Sequence, residues 1–267
     1  MFNIKYRIIL PTNVKYLDLV KNYIELLRIN WPEAYKKLII STTGSDDFDI
    51  DFTDIPVIKN GISTSLPTCV YNAASKYKAD YYFIFLGDAF ISQRISNEKV
   101  EKLLSSLVRN SINYCRLLPQ FSLHMSQRQK EYRNINSDER YTHSFVAFGA
   151  DPNFIRDEFS NNISDRDFEI RYLKLANKKR NFFFKDRVIL NKNIFHILPS
   201  IQKGKWDRVN LFYLKKKYPK IEFSNRARIS WKYEFILQIR KLILPIIPDN
   251  IRKKLKSKNK KYFDTNL

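Results

Sequence analysis

An acidic side chain that closes a strongly apolar run is the first candidate for chemistry in this chain. Residues 79–86 read Ala-Asp-Tyr-Tyr-Phe-Ile-Phe-Leu and break at Gly87-Asp88-Ala89-Phe90. A carboxylate just past a buried strand is placed to hold a divalent metal on a diphosphate, and Gly87 lets the backbone turn and a ligand approach. The plainer alternative is a turn Asp bonding its own backbone. A second cluster, Ser164-Asp165-Arg166-Asp167-Phe168-Glu169, opens a predicted helix with carboxylates. One of them could remove a proton from an attacking hydroxyl. The same pattern also suits ordinary helix capping and dipole complementation. In Ile201-Gln202-Lys203-Gly204-Lys205-Trp206, two lysines around a glycine suit an anionic group, or simply a surface turn. His196 ends a predicted strand, where a structural role is the plainer reading. Paired metal-ligand spacings of the HxxxH or CxxC type, a G-x-S-x-G elbow, a Walker loop and a G-x-G-x-x-G fingerprint are all missing from the sequence. That argues against a structural zinc site, a serine hydrolase, a P-loop ATPase and a nicotinamide enzyme.

Such residues need a scaffold that delivers them to one place. Residues 6–12 read as a buried strand ending in a turn. In residues 14–35, Leu17, Val20, Ile24, Leu27 and Trp31 recur at helical spacing, with Thr12 or Asn13 as a cap. Residues 37–42 and 56–59 read as strands, 65–77 as a helix with Pro67 in its first turn, 79–86 as a strand and 98–110 as a helix. Strands alternating with helices imply a parallel sheet covered on both faces, with ligands beyond the carboxyl ends of the strands. That rule selects residues 11–13, 41–46, 60–63 and 87–90. Farther on, 114–118, 144–148, 187–190 and 193–198 read as strands, and 154–159, 168–175, 209–218 and 231–244 as helices. The polar stretch 120–140 reads as loop or partly helical.

Charge is distributed unevenly. The 267 residues carry 48 Lys+Arg against 27 Asp+Glu, a formal net charge of +21, which calls for an anionic partner. Residues 203–262 hold 19 basic and 4 acidic residues, an excess of +15 that leaves +6 for the rest. The body therefore reads as an ordinary globular protein with a basic tail. At 44% hydrophobic and 15% aromatic residues, a disordered chain is excluded. The two cysteines, Cys69 and Cys115, exclude a disulfide framework and suit a reducing compartment. The opening apolar run is too short for a secretion signal, and residues 235–247 are interrupted by Gln238, Arg240, Lys241 and Pro245. A cytoplasmic protein is expected.

The order of these segments resembles the GT-A class of sugar-nucleotide-dependent glycosyltransferases, and more narrowly the bacterial transferases of capsule, O-antigen and exopolysaccharide synthesis. Residues 7–12, 38–42 and 79–88 carry the resemblance, with 165–169 standing at the acceptor-side acidic motif and 201–206 at a KGKW-like segment. The likeness implies a GT-A, Rossmann-like α/β fold over residues 1–210: a mixed, mostly parallel sheet flanked by helices. A basic helical extension follows over 211–267. It implies a nucleotide-sugar donor, a UDP-sugar first, and a divalent Mn or Mg ion. Thr12, Asn13, Thr43 and Asp46 would surround the nucleotide, and Asp88 would face the metal-bridged diphosphate. Asp167 or Glu169 would be the base of an inverting reaction. His196 would be a second metal ligand, and Lys203 or Lys205 would neutralise the departing diphosphate. The likeness departs at Gly87-Asp88-Ala89, where one acid replaces two or three, so lysine and arginine are the alternative neutralising groups. It departs again at Arg166, where related enzymes often carry an aromatic residue.

Acceptors in such pathways are saccharides, many of them lipid-linked. Residues 229–247 mix aromatic, apolar and basic side chains, and Arg252, Lys253, Lys254, Lys256, Lys258, Lys260 and Lys261 follow. Apolar insertion beside a polybasic run attaches a protein to an anionic membrane surface without spanning it. The expected partners are thus a nucleotide-sugar, a saccharide acceptor and the inner face of a membrane, with no specific nucleic acid. Two other classes compete: a nucleic-acid-binding protein using the lysines and 16 tyrosines, and a non-catalytic scaffold of a polysaccharide assembly complex.

Overall fold

The structure, a computed structural model, describes residues 4–45, 52, 54–119, 131–136, 143–170 and 183–243. Its strands are β1 (Tyr6–Asn13), β2 (Leu38–Thr43), β3 (Val57–Lys59), β4 (Tyr81–Phe85), β5 (Ala89–Ile91), β6 (Tyr114–Arg116), β7 (Tyr132–Asn136), β8 (Ala147–Ala150), β9 (Phe183–Leu190), β10 (Ile197–Pro199), β11 (Ile201–Gln202) and β12 (Lys205–Trp206). The helices are α1 (Leu17–Asn30), α2 (Pro32–Tyr35), α3 (Leu66–Lys76), α4 (Asn97–Arg109), α5 (Pro152–Phe159), α6 (Arg208–Lys217) and α7 (Trp231–Ile243). Residues 165–170 are also helical.

Eight strands form one sheet in the order β3-β2-β1-β4-β8-β6-β9-β7. Ladders β3–β2, β2–β1, β1–β4 and β6–β9 are parallel, while β8 and β7 run against their neighbours. This is the mixed, mostly parallel, Rossmann-like α/β sheet expected. Alternate side chains feed two cores, as the pleat dictates. Ile8, Leu10, Phe83 and Phe85 pack with α1, α4 and α6, while Ile9, Ile39, Tyr82 and Ile84 pack with α3, α5 and Phe168. Helix starts are capped by Ser65, Ser96, Asp151 and Asp207, and Pro32, Pro67 and Pro152 occupy first turns, where a missing N–H costs nothing.

Some expectations change in detail. The helix expected over 14–35 is a short 3-10 turn at Val14–Tyr16, then α1, then α2, because Pro32 cannot continue α1. Residues 132–136, read as part of a polar loop, form edge strand β7. Asn134 Nδ2 donates to the Phe184 carbonyl (2.7 Å), and the register shifts between Asn134 and Asn136. A bulged edge strand with polar side chains shows no apolar alternation to detect. Residues 193–196 turn rather than extend, with His196 at φ 47°. Cys69 and Cys115 are free and buried.

The C-terminal segments are joined to the body. Leu211, Leu214, Tyr218 and Phe223 belong to the same core as α1, and the expected boundary at 210/211 falls inside α6. Buried Asn22 of α1 donates to the Glu222 carbonyl (2.7 Å) and accepts from the Ser224 N–H (2.9 Å). Glu234 of α7 is buried and accepts from the Arg208 N–H at the start of α6 (2.8 Å), where the helix dipole favours a carboxylate. Among the described residues no helix is long and apolar enough to cross a membrane.

Gly149, at the centre of the sheet, leaves room for two rings. A Cβ there would stand 2.7 Å from Tyr81 Cε1 and 3.3 Å from Phe83 Cδ1. Gly149→Ala should destabilise the fold by about 1–3 kcal/mol through overpacking. Urea unfolding monitored by circular dichroism checks this, and an unchanged midpoint would contradict the packing described.

Candidate functional site

The chain leaves β1 for β2 on one side and later returns to β4 on the other. Between the carboxyl ends of β1 and β4 the strand order therefore reverses, which opens a crevice. A cavity of about 240 Å³ lies there. Pro11, Thr12 and Asn13 come from the end of β1, and Leu86, Gly87 and Asp88 from the turn after β4. Tyr16, Leu19 and Leu66 add apolar wall, Asp165 comes from the helical run 165–170, and Ile201, Lys203 and Gly204 come from the β11–β12 hairpin. Its volume lies just below the ~300 Å³ at which drug-sized sites begin, which suits one sugar or nucleoside more than a polymer.

Asp88 is positioned from both sides. Its carbonyl accepts from the Ser200 N–H (3.1 Å), the continuation of the antiparallel β5–β10 pairing. Its carboxyl is largely enclosed, and desolvation raises its pKa to about 6 despite a bond from its own backbone N–H. No ion pair to it occurs among the described residues. Asn13 accepts from the Lys15 N–H through Oδ1 (3.1 Å), and its amide nitrogen has no partner among the described residues. The Thr12 hydroxyl donates to the Asn13 carbonyl (3.3 Å), leaving its lone pairs for a ligand.

The hairpin is a braced support that carries a cation at its turn. Lys203 (φ 51°) and Gly204 (φ 75°) are both left-handed, the two-residue turn that matches hairpin twist. Trp206 anchors the hairpin from below: it is fully buried, stacks on Phe90 (5.4 Å) and donates Nε1–H to the Ser224 carbonyl (3.0 Å). Arg226 braces it from the side. The guanidinium grips Asp18 with two bonds of 2.6 Å, reaches the Gly204 carbonyl (3.5 Å) and lies 4.8 Å over the Tyr16 ring. Burial pushes the Asp18 carboxyl up, but the Arg226 bonds and charge outweigh it and hold the pKa below the usual carboxylate value.

Thr12, Asn13, Asp88 and Lys203 are thus brought together, and other expected site residues stand elsewhere. Thr43 is buried and donates to the carbonyls of Gly61 (3.1 Å) and Thr64 (2.5 Å), holding the loop before α3. Asp167 takes part in a reciprocal cap: Ser164 Oγ donates to Asp167 Oδ2 (2.7 Å), and the Asp167 N–H donates to Ser164 Oγ (3.0 Å). Glu169 accepts from the Phe145 N–H (3.1 Å), and burial raises its pKa. Lys205 is exposed on β12 and does not line the cavity. Asp46 lies outside the described residues. His196 sits at the far end of the β5–β10 ribbon from Asp88, roughly 13 Å away at the rise of a strand. Burial and the charges of Lys217 and Lys99 lower its pKa. Tyr16 and Leu66, which line the cavity, and Arg226, which braces it, carry no signal in the sequence. Asp165 has one, its place in the acidic cluster.

The donor set does not fit a resident divalent ion. Among the described residues, Asp88 and Asp165 are the carboxylates that line the cavity, and no cluster of three His, Cys, Asp or Glu exists. Two carboxylates, with the His196 imidazole remote, are too few for an all-protein Mg or Mn site, which needs several oxygen donors.

No family model matches the chain, and no curated protein matches it. Among solved structures, it is similar to a CMP:2-keto-3-deoxy-manno-octonic acid synthetase complexed with CTP, at 12% identity and TM-score 0.48 over 81% of this chain and 99% of that one. It is also similar to a nucleotidyl transferase from Methanothermobacter thermautotroptrophicus, at 10% identity and TM-score 0.47 over 80% of this chain and 99% of the other. S. aureus TarS 1-349 matches at 8% identity and TM-score 0.47, over 71% of this chain and 58% of that one. At these identities and scores the likeness adds nothing to the strand order already described, and the functional reading rests on the cavity.

Proposed function

We propose that the chain is a glycosyltransferase that moves a sugar from a nucleotide-sugar to a saccharide acceptor, lipid-linked in cell-surface polysaccharide synthesis, on the cytoplasmic side of a membrane. The observation that carries this reading is the cavity at the β1/β4 reversal, which gathers Thr12, Asn13 and Asp88 on the sheet side with Lys203 and Asp165 facing them. Thr12 and Asn13 bind the donor through hydroxyl and amide groups, and Tyr16 offers a ring face to the base. As the acceptor oxygen bonds to the anomeric carbon, its proton passes to Asp165, the cluster's carboxylate at the cavity. The bond to the diphosphate breaks with its electron pair on the departing oxygen, whose charge Lys203 neutralises. Asp88, poorly solvated, stabilises the positive charge that develops on the sugar ring. A nucleotidyl transferase would use the same crevice, and the products separate the two: a free nucleoside diphosphate here, pyrophosphate there.

Donor binding and transfer should be assayed with a panel of nucleotide-sugars, starting with UDP-sugars. Asp88→Asn and Asp165→Asn should each lower kcat by about 10²–10³ with the fold intact. Full activity in either variant removes that residue from the reaction, and pyrophosphate release from a nucleoside triphosphate would replace the reading. Lys203→Asn keeps a residue that tolerates the left-handed turn and removes the charge, so it should weaken the donor's KM at least roughly tenfold without lowering Tm.

The ionised form of Asp88 is the active one, so kcat/KM should fall as pH drops through about 6. Stability should show the opposite sign. The folded pKa lies above the ordinary 3.8, so the native state holds the extra proton between pH 3.8 and 6 and loses stability as pH rises through that window. Asp88→Asn should therefore stabilise the protein by at most about 3 kcal/mol above pH 6 and by nothing near pH 3.8. Thermal melts across that range test it, and an equal gain at both ends would show that Asp88 is not desolvated.

A further inference from the structure

We infer that α6 and α7 together form an insertion surface for an anionic lipid bilayer, with aromatic side chains entering the interface. On α6, Val209, Phe212, Tyr213 and Lys216 fall at helical spacing on one outward stripe, while Asn210, Leu211 and Leu214 face the core. Phe212 is 70% exposed and Val209 48%. On α7, Trp231 and Phe235 stand one turn apart, at 70% and 67% exposure. Arg208 links the start of α6 to Trp231: its guanidinium lies 4.7 Å over the Trp231 ring and its Nε donates to the Ile229 carbonyl (2.5 Å). Buried Glu234 fixes the two helix starts against each other. Two exposed aromatics on each of two helices joined at their starts are more apolar surface than a monomer in water needs to display.

Charge identifies the partner. Lys215 and Lys216 on α6 and Lys232 on α7 are exposed on the same helices, and in the sequence residues 251–261 carry seven basic side chains and no acid. Exposed aromatics and exposed lysines on the same two helices suit an anionic interface, where rings sit at headgroup depth and each nearby lysine adds to attachment. The inference deepens the membrane placement proposed above. Because vesicle binding is measured without donor or acceptor, its failure leaves the transfer chemistry untouched.

The chain carries its own reporter. Trp31 and Trp206 are fully buried, so Trp231 is the tryptophan that can respond at the surface. Full-length protein mixed with phosphatidylglycerol-containing phosphatidylcholine vesicles should show a blue-shifted Trp231 emission, quenched by brominated acyl chains. Pure phosphatidylcholine should give a much weaker response. The double variant F212S/F235S, altered only at exposed positions, should keep its melting curve and bind roughly tenfold or more weakly, since two buried phenylalanines are lost from the interface. Unchanged vesicle affinity in that variant would mean that the basic tail alone attaches the protein, and the inference falls. It falls equally if brominated lipid leaves Trp231 unquenched, or if the blue shift grows with protein concentration in the absence of lipid, which would make a second copy the occupant.

Discussion

The structure depends on β1, a strand buried on both faces and paired on both edges. Tyr6, Ile8 and Leu10 face one core and Ile9 the other, while β2 and β4 hold its backbone groups in parallel ladders. A strand with no polar way out must end where apolar character ends, at Pro11-Thr12-Asn13. The neighbouring ladder ends in turn at Gly87-Asp88. Because the chain reaches those two strands from opposite directions, no crossover covers the gap between their ends. The cavity follows from how the sheet is wound, and the polar residues are what the chain places in it.

Winding alone leaves that gap open on one side, and the C-terminal quarter supplies the missing wall. Trp206 and Phe90 stack, Ser200 pairs with Asp88, and Arg226 ties the hairpin turn to Asp18 and Tyr16. The Arg226–Asp18 pair is partly buried and bidentate, so it restricts geometry as well as contributing charge. Lys203 is then the flexible element on a stiff turn, suited to follow a charge that moves during a reaction.

Much of this was legible in the residues, for identifiable reasons. The parallel strands announced themselves as continuous apolar runs, and the rule for their carboxyl ends led directly to Thr12, Asn13 and Asp88. Lys203 was legible from its glycine. Short elements were not: β5, β11 and β12 span two or three residues, below any periodic signal, and β7 is a polar edge strand. The acidic cluster shows a different limit. Ser164-x-x-Asp167 is a capping pattern in sequence, and the structure realises it as one, which leaves Asp165, the acid with no local backbone role, toward the cavity. Resemblance favoured its two neighbours because motif position does not say which way a helix presents each side chain. Tyr16 and Arg226 could not have been paired beforehand, since 210 residues of chain separate them and only tertiary packing brings them together.

The bonds that brace this wall are among the longest in sequence of the described residues. Asp18 to Arg226 spans 208 residues and Asn22 to Glu222 spans 200. Contacts of that separation form late, after most of the loop-closure entropy has been lost elsewhere. On a ribosome, the parallel strands β1–β4 can pair long before residue 226 has been made, so a nascent chain holds the crevice without its clamp. The open crevice is thus a property of the sheet alone, and its closed wall belongs to the distant segments that dock on it last.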